Sequence, residues 1–388
     1  MNRAPGIIVT EPRGDGCSVA RWHAPGLTVR VAWRALRAAF EADAANPSSE
    51  SVKLFREGRP VVHRMLWPHR DGSSDDPWPW SVAFGSSTYF AWARAVQSFD
   101  RPMFEALVEA ASAEFSRRGL PSGPAEAEVF LGDYGYTPGG IHREACSNIH
   151  LVLSGAKTMH FWSGSAWPSH GTPRRVDIAG GTGTREEYLP DLDPAVALGE
   201  ARSLTAETGG GFSWAAGTWH VGETHGPTMA LNIAAYQRDL DAEPPMPPWG
   251  NEFSGEVSAD WLAQYRDHVG RDDSAASLLA RVSALGMRPA RPTRPPCPGQ
   301  RGRWRLEAPV LWMMVARGSL LVATLGSVRR HESSTTLLDW LAARPRLGTE
   351  SVVPPELRDL VAWLHEQGVF DVVPERTATA QPDNVEGQ

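Results

Sequence analysis

The chain has 388 residues, a formal net charge of -7 and 3 cysteines. This acidic balance gives no electrostatic reason to expect binding to nucleic acid or to an anionic membrane. Cysteines this few and odd in number do not make a disulfide framework, which favours a reducing compartment, the cytoplasm. A chain of this length can bury a substantial core and form two or more domains.

The N-terminal region, residues 1–50, is predicted to be a helical extension. Residues 1–16 lack the apolar core of a signal peptide. Residues 27–45 carry apolar side chains at helical spacing, and Asn46 and Pro47 end the run.

The catalytic barrel is predicted to begin at residue 51. Residues 51–62 alternate as a strand and turn, and residues 67–80 are polar and turn-rich, which indicates a surface loop near a substrate opening. Residues 86–99 and 101–118 both show helical spacing, and Gly119 ends the second of these helices.

Polar residues at the spacing of metal ligands lie in the stretch 139–162. His142 and Glu144 are two residues apart, so on an extended strand they project from one face and can hold one ion together. Lys157 opens the alternating run 157–162 after a turn. A lysine on an inward face needs an anion, because an unpaired buried ammonium is strongly disfavoured.

A third ligand candidate, His220, comes from a distant segment. Glycine clusters in residues 208–218 mark turns between apolar runs and predict a hairpin with His220 just after its bend. Two imidazoles and one carboxylate form the facial triad that binds Fe(II) in non-haem oxygenases and leaves coordination positions open. The sequence therefore predicts His142, Glu144 and His220 as metal ligands.

This pattern resembles the JmjC subgroup of cupin-fold oxygenases that depend on Fe(II) and 2-oxoglutarate. Similar proteins share an H-x-(D/E) motif, an Asn six residues after its His, and a Gly-x-Lys motif whose Lys lies fifteen residues after that His. Further along the chain they have a G-x-W-H motif and an Asn on the last core strand. The corresponding positions here are His142, Glu144, Asn148, Gly155, Lys157, residues 217–220 and Asn232. The agreement covers residues 51–238, about half of the chain.

The resemblance implies a fold that is mainly β with some α: a double-stranded β-helix (cupin or jelly-roll) core with flanking helices. It implies Fe(II) as the metal, 2-oxoglutarate as cosubstrate and O2 as oxidant, with decarboxylation to succinate. It assigns the distal carboxylate of 2-oxoglutarate to Lys157 and places Asn148 and Asn232 near the metal and cosubstrate.

Hydroxyl groups on and just after the strand that enters the metal stretch are candidates for the wall of the cosubstrate or substrate pocket. They belong to Tyr134, Tyr136 and Thr137, and the pair assigned to cosubstrate binding is Tyr136 and Thr137. Which of them face the pocket depends on the strand register.

The chain is divided at residue boundaries that follow from these patterns. The barrel spans 51–240 and contains an irregular insertion at 163–206; proline-rich linkers and a helical segment span 241–300. A small α+β winged-helix-like module is predicted at 301–374, similar in outline to modules appended to oxygenases of ribosomal proteins. Residues 375–388 are predicted to be a disordered tail.

A peptide or protein is the expected substrate, because of the JmjC resemblance and the appended module. Helices predicted at 259–269 and 274–287 could pair two subunits as a homodimer or pack on the barrel. Oxidation of a small metabolite and a non-catalytic metal-binding cupin remain alternatives. A halogenase is disfavoured, since halogenases lack the carboxylate that Glu144 supplies.

Each site residue also has a plainer interpretation. The three ligand candidates could be ordinary polar residues of barrel strands, Lys157 a surface lysine, and the two asparagines satisfied core amides. Cys146 is interpreted as a small buried thiol rather than a ligand. The remaining histidines near the site are expected to be structural; they are His150, His160, His170 and His225.

Overall fold

The structure is a computed structural model. It describes residues 6–9, 17–46, 51–61, 64–68, 75–162, 173–177, 185–189, 192–237, 245–247, 254–270, 273–291, 303–306, 308–316, 318–343 and 350–373. The α-helices in these ranges are α1 (Val29–Ala45), α2 (Trp78–Ser81), α3 (Arg101–Arg118), α4 (Pro194–Ala197), α5 (Ala259–Val269), α6 (Ala275–Ser283), α7 (Thr335–Ala342) and α8 (Arg358–Glu366). The strands are β1 (Gly6–Val9), β2 (Ser18–His23), β3 (Val52–Arg56), β4 (Arg59–Pro60), β5 (Tyr89–Ala93), β6 (Ala125–Asp133), β7 (Ile141–Glu144), β8 (Cys146–Ser154), β9 (Ala156–Trp162), β10 (Arg174–Asp177), β11 (Arg185–Leu189), β12 (Arg202–Glu207), β13 (Gly210–Trp214), β14 (Trp219–Thr224), β15 (Thr228–Tyr236), β16 (Gly255–Glu256), β17 (Arg303–Leu306), β18 (Leu311–Ala316), β19 (Ser319–Thr324), β20 (Ser327–Glu332), β21 (Glu350–Val352) and β22 (Phe370–Val373).

The central strands form a double-stranded β-helix. Within the described ranges, the larger sheet has the order β1-β2-β13-β8-β15-β6-β5-β3-β4 and the smaller sheet the order β10-β11-β7-β14-β9-β12. Strands β6, β7, β8 and β9 alternate between the two sheets, and β13, β14 and β15 do so again. The resulting inner orders, β13-β8-β15-β6 and β7-β14-β9-β12, are those of a jelly roll. The predicted fold, mainly β with flanking helices, is confirmed.

Helices α1 and α3 cover the outer face of the larger sheet. Leu36 of α1, Leu107 of α3 and Leu231 of β15 are fully buried in one core cluster, and full burial of a leucine contributes about 1.5–3 kcal/mol. Asp100 caps α3 and accepts a hydrogen bond of 2.6 Å from Nε of Arg34, which ties the start of α3 to α1. None of the helices in the described residues is long and apolar enough to cross a membrane.

The C-terminal part of the chain shares its core with the barrel. Val322 and Leu360 belong to the same buried cluster as the residues of α1 and α3. Arg101 is 4% exposed, and its guanidinium donates to the backbone carbonyls of Ala290, at 3.2 Å, and of Gln367. One buried side chain of α3 therefore holds the segment before β17 and the end of α8.

Residues 86–99 were predicted to be helical, and this prediction was wrong. The structure has strand β5 there, followed by a short 3-10 helix at Val96–Ser98. Strand β5 pairs with β3 on one side and β6 on the other. Every residue of Tyr89–Ala93 is apolar or aromatic, so the periodicity of this segment did not distinguish a strand from a helix, and its pairing with two neighbouring strands decides the structure. The helices predicted at 27–45, 101–118 and 259–269 are confirmed as α1, α3 and α5.

The insertion predicted at 163–206 contains β structure as well as irregular segments. Strands β10 and β11 extend the smaller sheet, and β11 pairs with β7, the strand that carries His142. Strands β1 and β2 extend the larger sheet and were not predicted, since the N-terminal region was expected to be helical. Parts of several predicted segments lie outside the described residues, among them the loop at 69–74, the insertion at 163–172, 178–184 and 190–191 and the proline-rich linker at 292–300, together with the whole tail at 375–388.

Candidate functional site

Two strands of the smaller sheet bring together the three residues predicted as ligands. His142 on β7 lies directly opposite His220 on β14, so their side chains share one face of the sheet. The two ring centroids are 4.3 Å apart, and Nε2 of His142 is 3.8 Å from Oε1 of Glu144. Residues separated by 78 positions in sequence thus meet inside the barrel.

Backbone carbonyls fix the protonation pattern of both imidazoles. Nδ1 of His142 is 2.9 Å from the carbonyl oxygen of Gly140, and Nδ1 of His220 is 2.9 Å from that of Thr218. Because a carbonyl only accepts, each Nδ1 carries the hydrogen and each Nε2 keeps its lone pair. Burial lowers the pKa of both rings and so favours this neutral form. Carbonyl partners at the remote ring nitrogen are typical of metal-binding histidines.

Two hydrogen bonds hold Oε2, the carboxylate oxygen of Glu144 that does not face His142. Oε2 accepts a hydrogen bond of 3.2 Å from the thiol of Cys146 and one of 3.4 Å from Nδ2 of Asn148. Burial, reinforced by the neighbouring Glu186, raises the pKa of Glu144 to about 7. Cys146 is fully buried and acts as a donor to Glu144.

The donor set fits a divalent ion such as Fe(II), although the side chains must close around it. Within the described ranges, no group of three His, Cys, Asp or Glu side chains is close enough to hold a metal ion without a change in conformation. Adjacent ligand atoms at about 2.1 Å from a metal lie about 3 Å apart. The distance of 3.8 Å between His142 and Glu144 would therefore have to shorten by roughly 1 Å for both to hold one ion.

Lys157 lies on the same inner face, deep in the barrel. On β9 it is paired with Thr224, and His220 is paired with Phe161 four residues further along the same strand. Its side chain is 1% exposed, and Nζ lies 3.1 Å from the hydroxyl oxygen of Tyr134 and 4.8 Å from the ring centroid of Phe130. Burial lowers the pKa of Lys157 to about 7.

Gly222 makes room for the lysine. A Cβ atom at Gly222 would lie 2.8 Å from Cε of Lys157 and 2.7 Å from Sδ of Met159, both closer than real Cβ contacts allow. The absence of a side chain at this position on β14 therefore lets Lys157 extend across the strand.

Of the two predicted hydroxyl residues, Tyr136 lies beside His160, and Thr137 lies beside Gly222, which adjoins Lys157. The ring of Tyr136 is 6.3 Å from that of His160, whose position on β9 faces away from Lys157. The Oγ1 atom of Thr137 is buried without a hydrogen-bond partner among the described residues, and its backbone N–H donates to the carbonyl of Gly222. The hydroxyl that meets Lys157 belongs to Tyr134.

Asn148 and Asn232 lie between the Glu144 carboxylate and a second buried carboxylate. Asn232 donates through Nδ2 to Oδ1 of Asn148, at 2.7 Å, and to Oε2 of Glu128, at 2.9 Å. Glu128 was not predicted from the sequence. Its alternation with Phe130 on β6 was the available signal, since Phe130 faces the barrel interior beside Lys157.

Aromatic rings flank the two histidines. Tyr188 of β11 stacks on His142 with the centroids 5.4 Å apart and the planes 16° apart. Trp214 of β13 lies against His220 with the centroids 4.8 Å apart. Neither ring was predicted, because the pairing of β11 with β7 and the packing of β13 in the opposite sheet arise only in the folded chain. The rings shield the imidazoles from water.

A separate cavity of about 370 Å³ lies at the end of α3. Arg118, Pro121, Ile149 and Ile233 are among its lining residues. Ile149 and Ile233 point to the outer face of the larger sheet, away from the barrel interior. This cavity contains none of the predicted site residues.

No protein-family model matches the chain, and no curated protein matches it. Among solved structures it is similar to a ribosomal oxygenase of Escherichia coli, with 13% identity, a TM-score of 0.46 and coverage of 95% of this chain and 100% of that one. A structure of the Escherichia coli ribosomal oxygenase with cobalt and 2-oxoglutarate has 14% identity, a TM-score of 0.40 and coverage of 86% and 90%. Oxalate decarboxylase of Bacillus subtilis has 12% identity, a TM-score of 0.21 and coverage of 39% and 26%. The assignment of the jelly-roll fold rests on the strand order of this chain.

Proposed function

We propose that this protein is an Fe(II)- and 2-oxoglutarate-dependent oxygenase that hydroxylates a C–H bond in the side chain of a peptide or protein. The observation that carries the proposal is the convergence of His142, Glu144 and His220 on the inner face that also carries the buried Lys157. A metal-ligand set beside a buried cation is the arrangement that a metal-chelating dicarboxylate requires.

In this proposal His142, Glu144 and His220 hold the iron. Iron and 2-oxoglutarate would together supply the oxidising chemistry, in which O2 is consumed, 2-oxoglutarate becomes succinate and CO2, and the substrate C–H bond gains the second oxygen atom as a hydroxyl. The neutral imidazoles present Nε2 without first losing a proton, because their Nδ1 hydrogens are already bound to carbonyls.

Lys157 binds the distal carboxylate of the cosubstrate, and the Tyr134 hydroxyl contributes a second polar contact there. The hydrogen bond of 3.1 Å between these two side chains directs Nζ toward the tyrosine oxygen and fixes the position of the positive charge. Tyr188 and Trp214 keep water from the flanks of the histidines.

A peptide or protein substrate is supported by the sequence resemblance to JmjC oxygenases and by the additional α+β structure after the barrel. Incubation of the purified protein with Fe(II), ascorbate, 2-oxoglutarate and candidate ribosomal peptides should give a mass gain of one oxygen on one peptide, located by fragmentation to one side chain. Succinate should form in step with the modified peptide.

Two results would contradict this. Equal and negligible succinate formation by the wild-type protein and by His142→Ala would identify a metal-binding cupin without oxidation. Succinate formation that depends on a small metabolite, with no peptide modified, would show that the substrate is a small molecule and not a peptide.

The affinity for 2-oxoglutarate should fall as the pH rises from below 7 to above 8. Burial lowers the pKa of Lys157 to about 7 and raises that of Glu128 to about 8. Below both values the lysine is charged and the glutamic acid neutral, which favours an incoming carboxylate; above both, the lysine is neutral and Glu128 is ionised. Tyr134 and the histidines that feel the charge of Lys157, His142, His150 and His220, remain neutral over this range, because burial raises the pKa of the tyrosine and lowers the pKa of each histidine.

Calorimetric titration of the Mn(II)-loaded protein measures this dependence. Pyruvate is the matched control, because it has the same keto acid but lacks the distal carboxylate. The ratio of the two affinities should decline with pH, whereas a constant ratio would show that the charge at Lys157 does not govern cosubstrate binding.

A further inference from the structure

Apart from its effect on the charge near Lys157, the buried carboxylate Glu128 has no part in the proposed function. It lies on β6, is 6% exposed, and is paired across the sheet with Asn232 on β15. Burial raises its pKa, and the charge of Glu144 raises it further. A carboxylate in such surroundings is unfavourable unless its oxygen atoms are hydrogen-bonded, so its partners indicate why the position is polar.

Those partners form a chain that ends at the metal-ligand candidate Glu144. Oε2 of Glu128 accepts from Nδ2 of Asn232 at 2.9 Å. The same amide group donates to Oδ1 of Asn148 at 2.7 Å. Nδ2 of Asn148 then donates to Oε2 of Glu144 at 3.4 Å and to the carbonyl oxygen of Cys146 at 3.2 Å.

The direction of this chain is set by the acceptors at its two ends, an oxygen of Glu128 and the carbonyl oxygen of Cys146. An asparagine amide can turn by half a rotation and exchange its donor for its acceptor. An accepting oxygen of Glu128 requires Asn232 to present its NH2 group, and this NH2 group requires Asn148 to present its oxygen. The NH2 group of Asn148 is thereby turned toward Glu144.

We propose that Glu128 is a positioning residue, which acts through Asn232 and Asn148 to hold Glu144 with Oε2 on the amide and Oε1 turned toward His142. This inference rests on the proposed function insofar as Glu144 is a metal ligand. Without the acceptor at position 128, Asn232 can reverse and present its oxygen to that of Asn148. This repulsion is relieved when Asn148 gives up its bond to the Cys146 carbonyl and reverses, which turns an amide oxygen toward the Glu144 carboxylate. Such a repulsion in a buried site weakens the grip of Glu144 on the ion.

Binding of Co(II) to the full-length protein, followed by its visible absorption, tests the proposal without relying on turnover. Glu128→Leu removes the acceptor at similar side-chain size and should weaken Co(II) binding by about 10- to 100-fold, the usual effect of losing a group that orients a metal ligand. The shape of the absorption bands should change, because the carboxylate is held differently. Glu128→Gln keeps an accepting oxygen and should restore affinity and spectrum.

Glu126→Leu is the matched control. Glu126 lies two residues earlier on the same strand, and its partners are Arg94 and Tyr236 rather than the amide chain. Its replacement should lower thermal stability but leave the Co(II) spectrum as in the wild type. Asn232→Leu breaks the next link and should reproduce the loss of affinity, so the test remains decisive if Glu128→Leu does not fold.

Different results would overturn the role of Glu128 and the proposed function. Unchanged Co(II) affinity and spectrum in folded Glu128→Leu, with the wild-type protein binding normally, would overturn the role of Glu128 alone. A wild-type protein that binds no Co(II) would overturn the proposed function, and this inference with it. Equal losses in Glu126→Leu and Glu128→Leu would reduce Glu128 to a structural residue of β6.

Discussion

His220→Ala should abolish Fe(II)-dependent succinate formation and weaken divalent-metal binding by at least about 100-fold, the upper end of the effect of losing an orienting partner. His220 is the candidate ligand contributed by β14, whereas His142 and Glu144 both lie on β7. The His220→Ala variant keeps only the two candidate donors on β7, which hold a metal ion more weakly than three. Co(II) titration and a succinate assay at saturating 2-oxoglutarate measure the two effects separately.

His225→Ala is the control for this experiment. His225 is exposed, and its Nε2 is 2.7 Å from Oγ1 of Thr158 on the outer side of the smaller sheet. Its loss should change neither metal affinity nor succinate formation. Wild-type succinate formation by His220→Ala would exclude the predicted ligand set.

Lys157→Met should raise the KM for 2-oxoglutarate by about 100-fold or more while metal binding remains near that of the wild type. Losing one partner of a buried charge pair costs about 2–5 kcal/mol, and about 1.4 kcal/mol corresponds to a factor of ten. Methionine keeps much of the length of the lysine side chain but carries no charge, so it fills the space beside Phe130 and Tyr134. The KM for 2-oxoglutarate and the Kd for Co(II) are the two measurements.

Gly222→Ala should also raise the KM for 2-oxoglutarate without changing metal affinity, because a Cβ at that position would displace the Lys157 side chain. Lys53→Met is the control, since Lys53 is exposed and lies over the ring of Trp92 at 5.0 Å. An unchanged KM in Lys157→Met would show that another group binds the distal carboxylate. A parallel loss of metal binding would instead indicate general damage to the barrel.

Strand alternation explains how much of the site could be predicted. The two-residue period of an extended chain places His142 and Glu144 on one face whatever the rest of the fold does. The same period aligns Lys157 with Phe161, and the structure pairs Phe161 with His220. The spacing of side chains along a strand is a local property, so the sequence alone carries it.

The parts of the site that depend on cross-strand register could not be predicted. Tyr134 and Tyr136 are two residues apart, yet the chain turns after β6, and only Tyr134 comes within hydrogen-bond distance of Lys157. Glu128 became significant only through its pairing with Asn232. The strand at residues 89–93 was likewise decided by its neighbours β3 and β6, because its own residues suit either conformation.

The buried contacts of Arg101 couple the barrel to the C-terminal part of the chain. Its guanidinium reaches the backbone at Ala290 and Gln367, and the apolar cluster beneath is shared by both parts. Removing the C-terminal strands and helices would take away the Gln367 acceptor of this buried cation and would uncover one side of the common interior. The chain should consequently melt in a single cooperative transition, because the C-terminal strands and helices and the barrel share one core and unfold as one unit.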